Sequence, residues 1–285
     1  MTPADIHASS FGAAATAYAE HRPDYARAAV RWALAAAPGT RVLDLGAGTG
    51  KLTGTLVDGL LDPGAGGGVL VGGFLEPGVD GRSPVDRLAD VIAVEPDPAM
   101  LAELRRALPG VRALPGSAEA IPLPEASVDA VVSGNAMHWF DMAVAGPEIA
   151  RVLAPGGVLA GLWNVLDDRV EWVAELARVS GSAAIGPRDT PVSWRAQTAS
   201  AHLPKDGGPA RFGSPEQAEF AHGQRRTADS LVATLATRAG MLVMPEPERA
   251  ATLGRIRAFL KSRPETAAGE FTLPMLTCVL RVRRL

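Results

Sequence analysis

Apolar positions along the chain switch between two spacings. Val42, Leu43 and Leu45 crowd into Arg41 to Leu45, and behind them Leu52, Leu56 and Leu60 recur once per helical turn. A strand and a helix are predicted, joined by Gly46-Ala47-Gly48-Thr49-Gly50. The rhythm then repeats. Val91 to Glu95 reads as a strand, and Asp97-Pro98 as a helix start, with a cap residue and then proline, ahead of Met100, Leu101, Leu104 and Leu108. Val111 to Leu114 is a third strand. Val128 to Ser133 is a fourth, nearly all apolar, as expected for a strand covered on both faces. Asp141 caps a helix running to Leu153, and Ala154-Pro155-Gly156-Gly157 turns the chain into a fifth strand, Val158 to Trp163. Strands alternating with helices in this way predict a parallel, doubly wound sheet with right-handed crossovers.

The flanks are less regular. Ala26 to Ala37 is a predicted helix with Val30, Trp32 and Leu34 on its apolar face. Later helices are expected over Glu171 to Val179, Thr227 to Arg238 and Glu246 to Lys261. Gly186 to Gly213, rich in proline, glycine and polar residues, predicts a loop or small cap over the ligand edge of the sheet. Phe271 to Arg283 reads as a long closing strand, with Pro274 near its start where a missing ladder bond is tolerated. With no helix after it, this strand should pair antiparallel. An insertion with nine glycines from Gly59 to Gly81 separates the first helix from the second strand. Its composition predicts a surface loop; a small hairpin over Val69 to Leu75 is the alternative. No internal repeat is found.

Composition narrows the partners. At 285 residues and 47% apolar, the chain suffices for one large or two small domains. Its 28 basic and 31 acidic residues leave no positive excess to drive nucleic-acid binding, so small solutes become the expected ligands. A single cysteine, Cys278, excludes an internal disulfide framework and a cysteine-based zinc cage. The first residues, with Asp5 and His7, lack a basic start followed by an apolar stretch. No segment reaches the ~18 apolar residues needed to span a bilayer. A cytoplasmic protein without membrane contact is expected.

The glycine turn bends sharply at the carboxyl end of the first strand, where backbone can approach a nucleoside. Its spacing is G-x-G-x-G, with Asp44 two residues ahead. A dinucleotide fingerprint would need its third small residue at Lys51, which argues against NAD. Glu95 ends the second strand, at the usual interval of ~20 residues once the insertion is discounted, and suits two ribose hydroxyls. An ordinary acid at a helix approach is the plainer reading of Glu95. After the third strand, Gly116-Ser117-Ala118-Glu119-Ala120-Ile121-Pro122-Leu123 offers short polar groups and a backbone amide to an adenine edge, or is simply a capped turn.

As a set, from about Phe11 to Trp163 with a weaker match in the closing strand, these residues resemble the class I S-adenosylmethionine-dependent methyltransferases. The similarity is closest to the small-molecule branch that includes ubiquinone-biosynthesis-like and trans-aconitate methyltransferase-like enzymes. It implies an α/β fold: a doubly wound, Rossmann-like, mostly parallel seven-stranded sheet with an antiparallel C-terminal strand, plus a small cap. It also implies S-adenosyl-L-methionine as cofactor, with Asp44, Gly46, Ala47, Gly48 and Gly50 at its methionine and ribose part. Glu95 and Pro96 then serve the ribose, and Ser117, Ala118 and Glu119 the adenine. The family often has aspartate where Ser117 stands, which shifts adenine reading towards the backbone of Ala118 and towards Glu119. Phe11-Gly12 and Tyr18 to Pro23 look like the branch's N-terminal element, in which Tyr18 and Arg22 approach the methionine carboxylate; a surface helix is the alternative. Asn135 would face the methionine group and His138 the acceptor. The implied organisation is an N-terminal element over 1–40, a core over 41–165 with the insertion at 59–88, a cap over 166–225, and closing helices and strand over 226–285.

Methyl transfer from a sulfonium is an in-line displacement in which alignment and exclusion of water supply much of the rate, and it requires no metal. An O–H or N–H acceptor needs a base, and a histidine with a free pKa of ~6.5 suits the task, which makes His138 the catalytic candidate. A packed histidine beside Trp139 is the competing reading, as core packing is for Trp139, Trp163 and Trp194. Two other functions stay open: a non-methylating scaffold on the same fold, and an amino-group methyltransferase of nucleic acid or protein. The second often shows an Asn-Pro-Pro-Tyr-like run where this chain has Asn135-Ala136-Met137-His138.

Overall fold

A computed structural model describes residues 19, 22–58, 69–71, 74–76, 90–191, 194–195, 203–204 and 212–285. Tyr18, most of the N-terminal element and most of the insertion lie outside these residues. The described strands are β1 (Arg41–Leu45), β2 (Val69–Val71), β3 (Phe74–Glu76), β4 (Asp90–Glu95), β5 (Arg112–Pro115), β6 (Val128–Gly134), β7 (Leu153–Leu166), β8 (Glu216–Arg226) and β9 (Phe271–Arg283). The helices are α1 (Arg27–Leu34), α2 (Lys51–Asp58), α3 (Pro98–Ala107), α4 (Met142–Val152), α5 (Glu171–Ser180), α6 (Ala228–Ala236), α7 (Ala239–Leu242), α8 (Glu246–Ser262) and α9 (Pro264–Ala267).

The strands join in the order β3-β2-β8-β9-β7-β6-β1-β4-β5. Pairing is parallel from β7 through β6, β1 and β4 to β5, so the carboxyl ends of these strands share one rim. The closing strand runs the other way. Arg284 N–H donates to the Gly157 carbonyl at 2.8 Å and Asp167 N–H to the Pro274 carbonyl at 3.1 Å, so β7 residues rise as their β9 partners fall. Apart from the β2–β3 pair added beyond β8, this is the expected seven-stranded, mostly parallel sheet with an antiparallel C-terminal strand.

Three strands depart from expectation. Val69–Val71 and Phe74–Glu76 pair antiparallel, so this part of the insertion is a hairpin and the loop reading is corrected. Its first strand lies beside β8 through Leu70 and Glu219. The strand β8 itself was not predicted: in Glu216–Arg226 only Ala218 and Phe220 are buried, so its apolar signal is too sparse to show periodicity.

Contacts divide the described residues into two units, one from Met1–Pro23, Asn164–Gln197 and Ala221–Leu276, the other from Asp24–Trp163, Thr198–Phe220 and Thr277–Leu285. In the second unit, Ala29, Val30, Ala33 and Leu34 of α1 and Leu52 and Leu56 of α2 pack on Val42, Ala130, Val132, Val158 and Ala160. On α3, Leu101 and Leu104 join Ala47, Ala93 and Ala113 in a separate cluster. Asp97 caps α3 by accepting from Ala99 and Met100 N–H at 2.8 and 2.9 Å, and Asp141 caps α4 by accepting from Ala143 N–H at 3.1 Å. In the first unit, Trp172, Val173 and Leu176 of α5 pack with Leu231, Leu235, Ile256 and Leu260. No helix among the described residues is long and apolar enough to cross a membrane.

Candidate cofactor site at the strand rim

The strand β1 carries a carboxylate into the interior. Asp44 is fully buried; its Oδ2 accepts from the Thr53 hydroxyl at 2.6 Å, and its Oδ1 has no partner among the described residues. Burial, and secondarily the nearby Glu95 charge, push its carboxyl up to about 7. Thr53 holds Asp44 from the first turn of α2, a contact that apolar periodicity does not reveal.

The three glycines of the turn all have left-handed backbones, with φ of 70°, 57° and 86° at Gly46, Gly48 and Gly50, but their surroundings differ. A methyl group at Gly46 would lie 2.8 Å from the Ala136 Cβ and at Gly50 3.0 Å from Leu104, so close packing accounts for both. At Gly48 it would meet nothing within 4 Å, so this Cα faces open space among the described residues. The turn's amides are spent internally: Gly46 and Ala47 donate to the Val94 carbonyl at 2.9 and 3.1 Å, and Gly50 to that of Ala47 at 2.9 Å. Ala47 itself is a packing residue.

Glu95 is the hinge of this region. Its Oε2 accepts from Gly48 N–H at 2.8 Å and its Oε1 from Asp97 N–H at 2.9 Å, locking the turn to the start of α3. Its side chain is buried, which pushes its carboxyl above the ordinary range against those two hydrogen bonds. A carboxylate has about four acceptor positions, so two remain for a diol. Pro96 is exposed. Two buried carboxylates with raised affinity for protons, beside a turn whose Gly46, Ala47, Gly48 and Gly50 amides are engaged, suit a cation and a diol better than a phosphate.

The segment after β5 folds on itself. Gly116 lies against Pro122, with 2.7 Å between the ring and a would-be Cβ, and Ala120 N–H donates to the Ser117 carbonyl at 3.3 Å. Ala118 is buried, and Glu119 Oε1 accepts from Asp141 N–H at 3.0 Å. At the end of β6, Asn135 adopts a left-handed backbone with φ of 52° and donates its N–H to the Leu162 carbonyl at 2.8 Å. Such a backbone at a non-glycine residue marks local strain, which clusters at functional sites. Next come Ala136 and a single turn over Met137–Trp139, in which the half-buried His138 ring lies 4.8 Å from that of Trp139. Phe140 flanks Gly46.

Asp44, Gly46, Ala47, Gly48, Gly50, Glu95, Pro96, Ser117, Ala118, Glu119, Asn135 and His138 all fall at the carboxyl ends of β1, β4, β5 and β6. Arg22 belongs to the first unit, where it is buried and its Nη2 donates to the Thr237 carbonyl at 3.1 Å. Tyr25, not singled out above, meets Gly134: a methyl group there would come within 2.5 Å of the phenol oxygen. Trp163 and Trp194 are buried.

A Rossmann-like sheet with this rim is shared by several enzyme classes, and comparison with known proteins decides between them. A methyltransferase-domain family profile matches residues 61–161. A protein of Mycobacterium tuberculosis named as a methyltransferase is 38% identical over 273 residues, covering 95% of this chain and 94% of its own. A malonyl-[acyl-carrier protein] O-methyltransferase of Methylococcus capsulatus is 34% identical over 147 residues, covering 48% of this chain and 43% of its own. A solved structure from Anaeromyxobacter dehalogenans, described as a type II methyltransferase, is 25% identical, with a TM-score of 0.56 over 92% of this chain and 97% of that one. The chain belongs to the class I S-adenosylmethionine-dependent methyltransferases.

Proposed function

We propose that the protein transfers a methyl group from S-adenosyl-L-methionine to a small-molecule acceptor. The observation that carries this reading is the Glu95 clamp, which fixes a buried carboxylate at the strand rim through Gly48 and Asp97 while leaving acceptor positions for the ribose. The bare Cα of Gly48 admits the ligand's close approach. Asp44 Oδ1, buried and in want of a donor, suits the ligand's positive charge. By resemblance, Ser117, Ala118 and Glu119 are assigned the adenine edge and Asn135 the methionine group. Tyr18 and Arg22 are assigned to the methionine carboxylate by resemblance, an arginine fork being matched to a carboxylate.

When bound, S-adenosyl-L-methionine would supply an electrophilic methyl on its sulfonium sulfur, with S-adenosylhomocysteine as the leaving group once the acceptor atom takes that methyl. The chain's own part is to orient both partners and exclude water. His138 accepts the acceptor's proton where an O–H or N–H is methylated. Relatives named for a malonyl group and for demethylmenaquinone support a small acceptor.

Calorimetric titration with S-adenosylhomocysteine tests the cofactor assignment; a folded protein giving no heat would refute it. Incubation with S-adenosylmethionine and pooled small metabolites, followed by detection of S-adenosylhomocysteine, tests the transfer. Tight binding without product from any pool would favour a non-methylating scaffold. Replacement of His138 by alanine should lower turnover by roughly 10²-fold or more with cofactor affinity unchanged, the usual range for a lost general base. A variant with full turnover removes His138 from the mechanism.

A further inference from the structure

The segment that follows β5 is held from outside itself, by one helix. Glu148 and Arg151 stand one turn apart on α4 and form an ion pair of 2.8 Å. Arg151 Nε donates to Glu148 Oε1 at 2.8 Å and Nη2 to Oε2 at 2.8 Å, a two-pronged grip that fixes both side chains. Their remaining capacity goes to the segment's backbone. Glu148 Oε2 accepts from Ile121 N–H at 3.0 Å, while Arg151 donates through Nη2 to the Ile121 carbonyl at 3.0 Å and through Nη1 to the Leu123 carbonyl at 2.7 Å. At the helix start, Asp141 N–H meets Glu119 at 3.0 Å. A single rigid element thus holds residues 119, 121 and 123 and also follows directly on the His138 turn.

A surface ion pair at this helical spacing contributes a few tenths of a kcal/mol to helix stability and nothing to a neighbouring loop. Here the pair satisfies three backbone groups of the segment assigned to adenine. Moving Ile121 moves Ala118 with it, because Ala120 N–H is bonded to the Ser117 carbonyl and Gly116 is closed against Pro122.

We propose that Glu148 and Arg151 are positioning residues for base recognition, setting the place of the Ser117 to Glu119 backbone so that the site selects adenine over other purines. This rests on the assignment of that segment to the adenine. The chemistry is directional. Adenine presents an acceptor at N1 and a donor at its amino group; hypoxanthine presents a donor at N1 and a carbonyl oxygen. A backbone edge placed for one pattern opposes the other, and such a paired contact is worth about 1–3 kcal/mol of discrimination.

The experiment is calorimetric titration of the full chain, its Arg151→Lys variant and its Glu148→Gln variant with S-adenosylhomocysteine and with S-inosylhomocysteine, alongside thermal melting. Wild type should favour the adenosyl compound at least about tenfold, the lower part of the range for a paired base contact. Arg151→Lys keeps the charge but loses the fork, and should reduce that preference about fivefold or more, mainly by weakening the adenosyl compound. Glu148→Gln keeps the size and carries the same expectation should Arg151→Lys fail to fold. A folded variant with the wild-type ratio overturns the inference and leaves the adenine assignment standing. A wild type that does not distinguish the two ligands overturns the assignment itself, and the inference with it. Equal losses for both ligands, the mark of general loosening, also count against it.

Discussion

The ribose side and the adenine side of the rim are built on opposite plans. Around Glu95 the support comes from the ends of two neighbouring parallel strands: the carboxylate bonds its own neighbour Asp97 and the facing turn at Gly48, and the turn bonds β4 at Val94. Around Ser117 to Leu123 the support comes from Asp141, Glu148 and Arg151 on a later helix. The two sides also differ in charge. Asp44 and Glu95 are buried with carboxyls pushed up by desolvation, whereas Glu148 is held below the usual carboxylate range by its bond to Arg151. One side keeps its acids desolvated and without an ion-pair partner to lower them. The other neutralises its charges and uses them as scaffold.

The largest effect should come from removing the centre of the ribose side. Glu95→Ala eliminates two hydrogen bonds to a charged acceptor from a bound diol, each worth about 1.5–3 kcal/mol. Affinity for S-adenosylhomocysteine should therefore fall by roughly 10²–10⁴-fold in calorimetry. Circular dichroism should show the fold retained, since Gly48 and Asp97 N–H can turn to water. Unchanged affinity would refute the ribose assignment and with it the contrast drawn above.

Next in size is a change of sign in pH dependence. Asp44 holds its proton up to about 7 when folded and to its ordinary 3.8 when unfolded. Its contribution to stability is thus full below the unfolded value and is lost as pH rises through the folded one. The ligand-free protein should melt at lower temperature at about pH 8 than at about pH 5, and Asp44→Asn should flatten that slope. Glu148 works in the opposite sense: its depressed carboxyl stabilises above the ordinary carboxylate range and that stability is lost on acidification. Melting curves of Glu148→Gln should therefore lose stability at neutral pH and little in acid. If both variants bend the profile in the same direction, the two sides are not electrostatic opposites.

Glycines of the turn divide the ribose side further. An alanine at Gly48 meets open space but a left-handed backbone, a cost of about 1–2 kcal/mol, and places a methyl where the ligand would lie. Gly46→Ala adds a collision with Ala136 to the same strain. The expected result is a drop in ligand affinity of about tenfold or more for Gly48→Ala beside a modest loss of melting temperature, and the larger melting loss for Gly46→Ala.

What the sequence disclosed follows the same division. The strands β1 and β9 were placed to the residue, and Asp97 and Asp141 cap the helices expected of them, because periodicity and capping are local signals. The Asp44, glycine-turn and Glu95 set was legible for that reason: its members stand at strand ends, where backbone position is dictated nearby. Arg151 and Glu148 escaped because an acid and a base at this spacing look like any solvated helix pair, and only the fold shows that both reach another segment's backbone. Thr53 escaped because a threonine in a helix carries no sign of the aspartate beneath it. The strand β8 escaped because a polar, sparsely buried strand has the composition of a loop.

The smallest effect tests whether the support from α4 is shared or concentrated. Glu119 takes one N–H, that of Asp141, whereas the Arg151 and Glu148 pair satisfies three backbone groups of the same segment. Glu119→Ala removes one exposed charge-assisted bond, worth about 1 kcal/mol, and frees Asp141 N–H to water. If α4 holds the segment chiefly through its third turn, the loss of affinity for S-adenosylhomocysteine should stay near threefold to fivefold, about 1 kcal/mol. Glutamine at this position keeps an acceptor for Asp141 and should restore most of that loss. A loss as large as that of Glu95→Ala, unrescued by glutamine, would mean that the Glu119 carboxylate, and not its backbone, takes the adenine edge. The adenine side would then recognise its ligand with a charged side chain, as the ribose side does, and the difference between them would lie only in how each is held.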